Sequence, residues 1–192
     1  LCYDEETEVL TKTGWKNIKE ITLDDEICTL NQTTHQIEYQ NPSILHWYPE
    51  GDMEYMYKVE NDKINLLVTL GHKMYVRKPS EQSFSLRAAR EINEPVYYLT
   101  QTEEVLVDSP VIVPFNGPVF CLTVPNHVLY VRRNGKTVWS GNSGRHGDKN
   151  IVGAILPDEH MPRVGGPNGP ILDMLTSPTG VNCHDDKTEI LT

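Results

Sequence analysis

Asn134-Gly135 sits between two apolar runs, residues 128–131 and 137–139. Asn-Gly readily adopts the two left-handed conformations of a type I′ turn, so this stretch predicts a β-hairpin. The same pattern recurs upstream. Thr13-Gly14, Asp24-Asp25, residues 31–36 and Pro49-Glu50-Gly51-Asp52 read as turns between short strand-like runs. Those runs fall at 7–11, 26–30, 37–39, 43–48, 55–60, 64–69, 73–77, 97–100, 105–108, 111–113 and 119–124. Residues 84–92, centred on Ala88-Ala89, carry the one modest helical pattern. The polar stretch 101–104 reads as a tolerant loop. The body of the chain, 2–142, is predicted to be mainly β, built of many short strands.

At Asn142-Ser143 the pattern changes. Residues 151–156 suit a strand, but beyond them Pro157, Pro162, Pro167, Pro170 and Pro178 dominate, with Gly165-Gly166, Gly169 and Gly180. That segment is too short to bury a core of its own and reads as a piece of another protein. The chain starts at Leu1 without Met and closes on the strand-like 188–192, so it reads as a fragment. The seam itself has chemical potential. An Asn carboxamide can attack its own backbone carbonyl and cut the chain, and a Ser hydroxyl can accept an acyl group. The plainer reading of Asn-Ser is a turn.

Composition narrows the field. A net charge of −10 argues against a nucleic-acid-binding body, which needs clustered Lys and Arg. No apolar run is long enough to span a bilayer and no signal peptide is visible, so a cytoplasmic location and no membrane partner are expected, the cell being read as bacterial or phage-infected only through the family resemblance given below. The four cysteines, Cys2, Cys28, Cys121 and Cys183, lack CxxC spacing. Neither a metal site nor a disulfide framework is expected from them; free thiols are. Thiols are also candidate nucleophiles.

The two ends repeat each other. Residues 2–11 align without gaps on 183–192, with Cys, Asp, Thr, Glu, Leu and Thr identical. The copies flank an unrelated segment, so this is not a solenoid. Chance similarity of strand-like composition competes with a second copy of one module beginning at Cys183.

Four blocks now carry a family resemblance. Cys2-Tyr3-Asp4-Glu5-Glu6-Thr7-Glu8-Val9 resembles the N-terminal splicing block of inteins. Leu66-Leu67-Val68-Thr69-Leu70-Gly71-His72-Lys73-Met74-Tyr75-Val76 resembles their second block, with its Thr-x-x-His. Val119-Phe120-Cys121-Leu122-Thr123-Val124-Pro125-Asn126-His127 resembles the penultimate block, and Val138-Trp139-Ser140-Gly141-Asn142-Ser143 the terminal one. The resemblance implies a class 1 mini-intein of Hint fold, a horseshoe-like arrangement of short twisted strands, over 2–142. Leu1 would be the N-extein residue, and 183–192 the start of a second intein with Cys183 as its nucleophile. Residues 77–118 leave no room for an endonuclease domain.

The chemistry implied is autocatalytic splicing without a cofactor. Cys2 attacks the Leu1 carbonyl, Ser143 takes the acyl group, Asn142 cyclises, and an acyl shift joins Leu1 to Ser143. By resemblance His72 protonates the Cys2 nitrogen, which suits a side chain titrating near neutrality. Thr69 orients the scissile peptide and His127 assists Asn142. Taken alone, His72 could be a strand residue facing a pocket and Thr69 a plain β-former. Two departures from the common pattern stand out. Gly141 replaces a frequent His, and Cys121 replaces a frequent Asp. Cys121 is read either as an assisting acid/base or as a buried structural cysteine. Cys28 is read as a core residue, and His35 and His46 as surface or satisfied polar residues.

Joined to Leu1, the segment Ser143-Gly144-Arg145-His146-Gly147-Asp148-Lys149 resembles a motif of the β subunit of multisubunit DNA-dependent RNA polymerase, and 155–162 and 170–181 continue it. The resemblance makes 143–182 extein and places Arg145 and Lys149 near nucleotide or RNA phosphate. Asn150 departs from the usual Gly. The implied partners are the flanking extein segments and, after splicing, the other polymerase subunits, DNA and RNA. The polymerase Mg²⁺ would be bound by another subunit. Three rival readings remain: a Hint-type domain that only cleaves its flanks; a binding module holding a metal on Cys and His, which the spacing disfavours; and a role of the fragment itself in transcription, which the acidic β-rich body confines to 143–182 and its flanks.

Overall fold

A computed structural model describes residues 2–142. Leu1, Ser143, Arg145, Lys149 and Cys183, with the segments 143–182 and 183–192, lie outside the described residues. The regular structure of the described residues is almost entirely strand, 50% against 4% helix, in agreement with the mainly β sequence reading. In order the strands are β1 (Tyr3–Asp4), β2 (Glu8–Thr11), β3 (Gly14–Asn17), β4 (Ile27–Leu30), β5 (Ile37–Gln40), β6 (Ile44–Tyr48), β7 (Tyr55–Glu60) and β8 (Asn65–Val68). They continue with β9 (Lys73–Arg77), β10 (Ser85–Ala88), β11 (Val96–Leu99), β12 (Glu104–Val107), β13 (Val111–Pro114), β14 (Val119–Thr123), β15 (Val128–Arg133) and β16 (Lys136–Gly141).

They form three sheets, ordered β13-β7-β8-β1-β14-β6, β10-β9-β11-β12 and β16-β15-β2-β4-β5, with β3 paired to β2. The hairpin predicted at Asn134-Gly135 joins β15 to β16 in the register Arg133↔Lys136. Its two turn residues have φ of 48° and 75°, both left-handed, which is what a type I′ turn requires of them. In β2 and β12 buried residues alternate with less buried ones, as period-two sequences dictate when one face meets the core.

Residues 84–92 do not form a helix. Ser85–Ala88 is β10, paired along its length with β9, and only Ala89–Glu91 turns as a single 3-10 turn. Ala89 donates its N–H to the His72 carbonyl at 2.8 Å. Cross-strand pairing thus satisfies the backbone where local propensity suggested a helix, and a weak propensity yields to it.

The main core gathers Tyr3, Val9, Leu66, Met74, Leu122 and Leu129 from all three sheets. Each such side chain, taken fully out of water, contributes about 1.5–3 kcal/mol. A second cluster stacks Trp15, Tyr130 and Trp139, with ring centroids 5.7 and 4.7 Å apart along the row. One buried ionic knot fixes the N-terminal segment. Arg133 of β15 reaches both Asp4 carboxylate oxygens at 3.1 Å, Asn65 at 2.6 Å and Glu6 at 3.0 Å. Thr7 adds its hydroxyl to Asp4 at 2.8 Å. Asp4 is 3% exposed and Arg133 8%, so each charge depends on the other for its solvation.

Candidate active site

β1 lies between β8 and β14, in the registers Tyr3↔Val68 and Tyr3↔Phe120. One step back along those registers, Cys2 faces Thr69 on one side and Cys121 on the other. The Cys2 N–H donates to Thr69 Oγ1 at 2.8 Å, and the Thr69 N–H returns to the Cys2 carbonyl at 3.0 Å. The amide that precedes the Cys2 side chain is therefore held by the threonine of the Thr-x-x-His motif. The motif closes as a turn, the His72 N–H donating to the Thr69 carbonyl at 2.9 Å.

Cys2 and Cys121 are joined by a disulfide, their Cα atoms 4.3 Å apart. This corrects the expectation of free thiols at these two positions. The physical reason is register: directly opposed residues of antiparallel strands bring their Cα atoms to about 4.5 Å in non-hydrogen-bonded pairs, within the reach of a disulfide. In this form neither sulfur can act as nucleophile or acid/base, so the assisting role read for Cys121 is closed to it while the bond stands. Cys28 is a buried free thiol, as expected of a core residue, and burial pushes its pKa up.

His72 is fully buried. Its Nε2 lies 3.2 Å from Ser140 Oγ, and its ring meets the Tyr3 ring edge-on at 4.4 Å. The Tyr3 hydroxyl crosses to the other end of the domain and donates to the Gly141 carbonyl at 2.5 Å. Burial pushes the Tyr3 phenol far above its ordinary pKa, against a smaller opposing effect of its hydrogen bond with Ser140. The phenol therefore remains a proton donor at neutral pH.

Asn142 is 1% exposed and clasped on three sides. Its N–H donates to the His127 carbonyl at 3.0 Å, its Nδ2 donates to the Val124 carbonyl at 2.7 Å, and its Oδ1 lies 3.3 Å from His127 Nδ1. Because the Val124 carbonyl can only accept, the NH₂ group must face it and Oδ1 must face the imidazole. His127 Nδ1 therefore carries the proton in this contact. His127 itself has φ of 60°, the left-handed conformation that turns its ring back over Asn142. The loop around it is anchored by the neighbouring Asn126, whose Nδ2 donates to Glu38 at 2.8 Å and Thr29 at 3.0 Å.

The structure thus gathers Cys2, Thr69, Cys121 and His72 with Tyr3 and Ser140, and Asn142 with His127, and Tyr3 links the two groups. Sequence reading singled out neither Tyr3 nor Ser140. The departure at Gly141 was the available signal, since a missing side chain beside Asn142 invites the question of what occupies its place. His46 stands opposite Cys121 in the β6–β14 register, and His35 lies in the β4–β5 turn; both are exposed, as expected. Among the described residues no three His, Cys, Asp or Glu side chains cluster as a metal site would need. Nor is any helix among them long and apolar enough to cross a membrane.

An AceL NrdHF class 3 split intein, a glutathione-linked splice-inactive variant, superposes with a TM-score of 0.62 at 22% identity, covering 74% of this chain and 99% of its own. A bacterial intein-like domain from Clostridium thermocellum gives 0.59 at 16% identity, covering 73% and 98%. A DnaB intein from Synechocystis sp. PCC 6803 gives 0.54 at 17%, covering 74% and 98%. The described residues have the Hint fold of the inteins. No family model matches the chain. Among curated proteins, part of the chain resembles a Clp protease proteolytic subunit of Chlamydomonas moewusii (37% over 95 residues, 47% of this chain). Parts of it also resemble the C-terminal section of an RNA polymerase β subunit of Stigeoclonium helveticum (38% over 76, 40%) and a ribonucleoside-diphosphate reductase β subunit of Aquifex aeolicus (33% over 99, 50%). The chain spans 9%, 7% and 13% of the lengths of these relatives.

Proposed function

We propose that residues 2–142 are a mini-intein without an endonuclease domain, which excises itself and joins Leu1 to Ser143. The observation that carries this reading is the meeting of the two ends. Cys2, its amide on Thr69 Oγ1, and Asn142, its carboxamide clasped by Val124 and His127, are bridged by one side chain, Tyr3. Support of another kind comes from the curated relatives. Three proteins with unrelated names share segments with one small chain, as befits an element that inserts into unrelated hosts.

The first requirement is reduction. A cellular thiol transfers two electrons and two protons to the Cys2–Cys121 disulfide, leaving two thiols and an oxidised donor. The Cys2 thiolate then attacks the Leu1 carbonyl carbon. The C–N bond to Cys2 breaks as its nitrogen gains a proton from His72, and Thr69 holds the peptide in line for the attack. Ser143 Oγ displaces the Cys2 thiol from the thioester, giving a branched ester. Asn142 Nδ2 attacks its own carbonyl carbon, and the Ser143 nitrogen leaves with a proton. The Val124 carbonyl orients the attacking NH₂ group, and the Nδ1 proton of His127 stabilises the imidate character that develops at Oδ1. An O-to-N acyl shift at Ser143 restores a peptide bond, with the succinimide left on the excised chain.

We read 143–182 as extein of a polymerase β subunit, with Arg145 and Lys149 toward nucleotide or RNA phosphate and any catalytic Mg²⁺ held by another subunit. Residues 183–192 would open a second intein at Cys183. One of the curated relatives is named as a polymerase β section, which fits this host. The test is a precursor of residues 1–182 between two affinity tags, incubated with a phosphine reductant and followed by mass. Splicing predicts joined tags and free 2–142. Hydrolysed halves without joined tags would leave cleavage alone, the chemistry of a self-processing domain that does not ligate.

A further inference from the structure

Gly141 has no room for a side chain. A Cβ built there would fall on the Lys73 backbone carbonyl, and 2.8 Å from Leu86 Cδ2. The histidine that many inteins carry at this place cannot be seated without moving the β9 backbone. Its position beside the reactive Asn is approached instead from the opposite end of the domain, by Tyr3.

Tyr3 is 0% exposed and its ring is fixed against His72. Its hydroxyl donates to the Gly141 carbonyl at 2.5 Å. At the other end of the same peptide unit, the Asn142 N–H donates to the His127 carbonyl at 3.0 Å. The Gly141–Asn142 peptide is thus pinned at both its oxygen and its hydrogen. With the carboxamide also held, at 2.7 Å by Val124 and 3.3 Å by His127, Asn142 retains chiefly the rotation that presents its own carbonyl to Nδ2. Holding reactants near the attack geometry removes entropy from the barrier.

We propose that Tyr3 is the positioning residue of the downstream step: its hydroxyl fixes the Gly141–Asn142 peptide so that the Asn142 carboxamide closes on its own carbonyl. This rests on the self-processing function proposed for residues 2–142. Tyr3 touches no atom that forms or breaks a bond in that step, and it acts through Gly141. It also stands next to Cys2 in sequence, so the peptide that hosts the upstream chemistry carries the restraint on the downstream one.

The experiment uses the tagged 1–182 precursor with Tyr3 intact and as Tyr3→Phe, both under a phosphine reductant. Phenylalanine keeps the ring against His72 and removes the hydroxyl. Upstream chemistry is read as cleavage at Leu1–Cys2 by an added thiol. Downstream chemistry is read as appearance of succinimide-ended 2–142. The expected result is thiol cleavage at the unmodified rate, with Asn142 release slowed about tenfold, the size of one lost hydrogen bond. Branched ester should accumulate, and the pH profile of release should keep its shape, because a positioning group does not titrate in the step. Equal slowing of both reactions, or loss of thiol cleavage, would assign Tyr3 to folding alone and overturn the proposal. Release at the unmodified rate would overturn it too, leaving self-processing intact. An unsubstituted precursor that never releases at Asn142 would overturn both.

Discussion

Breaking the Cys2–Cys121 bond exchanges stability for reactivity, and both sides can be measured on one protein. The bond spans 119 residues. In the chain-entropy treatment, closing a loop of that length removes about 16 cal/mol/K from the unfolded ensemble, or about 5 kcal/mol at 25 °C. Domains have about 5–15 kcal/mol in all, so the reduced form would keep a fraction of the oxidised stability. At roughly 3 °C per kcal/mol for a domain of this size, the melting temperature should fall by on the order of 15 °C. The assay is thermal unfolding of an Asn142→Ala precursor, which cannot release its downstream end, with and without a phosphine reductant that leaves thioesters intact. Cys121→Ser should melt like the reduced protein in either buffer. In the unsubstituted precursor, joined product should form only with reductant, whereas Cys121→Ser should process without it. Equal melting temperatures in the two buffers, together with processing in oxidising buffer, would refute the reasoning.

Single contacts set the other expected outcomes. Arg133→Met should destabilise the domain by about 3–5 kcal/mol in chemical denaturation, because it strands the buried Asp4 carboxylate that Arg133 holds at 3.1 Å. Gly141→His, which restores a residue common in inteins, should slow Asn142 release and lower stability by about 1–3 kcal/mol, since its Cβ collides with the Lys73 carbonyl. His127→Asn keeps a residue that tolerates positive φ and should slow Asn142 release by about 10²-fold, while thiol cleavage at Cys2 proceeds. Finally, the Arg132 guanidinium, hydrogen-bonded to Glu8, holds that carboxyl below the usual glutamate range. The unfolded chain then takes up the proton first as pH falls, so this stability is complete above about pH 4.3 and is lost as pH drops through the folded value. Glu8→Gln should flatten the acid limb of a stability–pH curve.

Features encoded within a few residues were legible in the sequence. Asn134-Gly135 specified its hairpin because few other dipeptides adopt φ of 48° and 75° so readily. Ala88-Ala89 misled because even alanine's helix preference is worth less than about 1 kcal/mol per residue, and the β9 register offered the backbone better partners. The chemistry-bearing residues were legible as motifs, but their contacts were not, since each joins positions far apart in sequence. The Cys2–Cys121 bond arises because β1 lies beside β14, and no spacing of cysteines announces it. The Tyr3–Gly141 hydrogen bond spans 138 residues and ties the first strand of the domain to its last. That distance bears on mechanism. In the proposed splicing reaction bonds open at both ends of the domain, in order, and a contact between those ends can couple the two steps. Here the link is one phenol whose ring rests on His72 and whose hydroxyl restrains the peptide before Asn142. In the proposed reaction, any movement of β1 as the Cys2 amide becomes a free amine would reach the Asn142 clasp through this one core side chain.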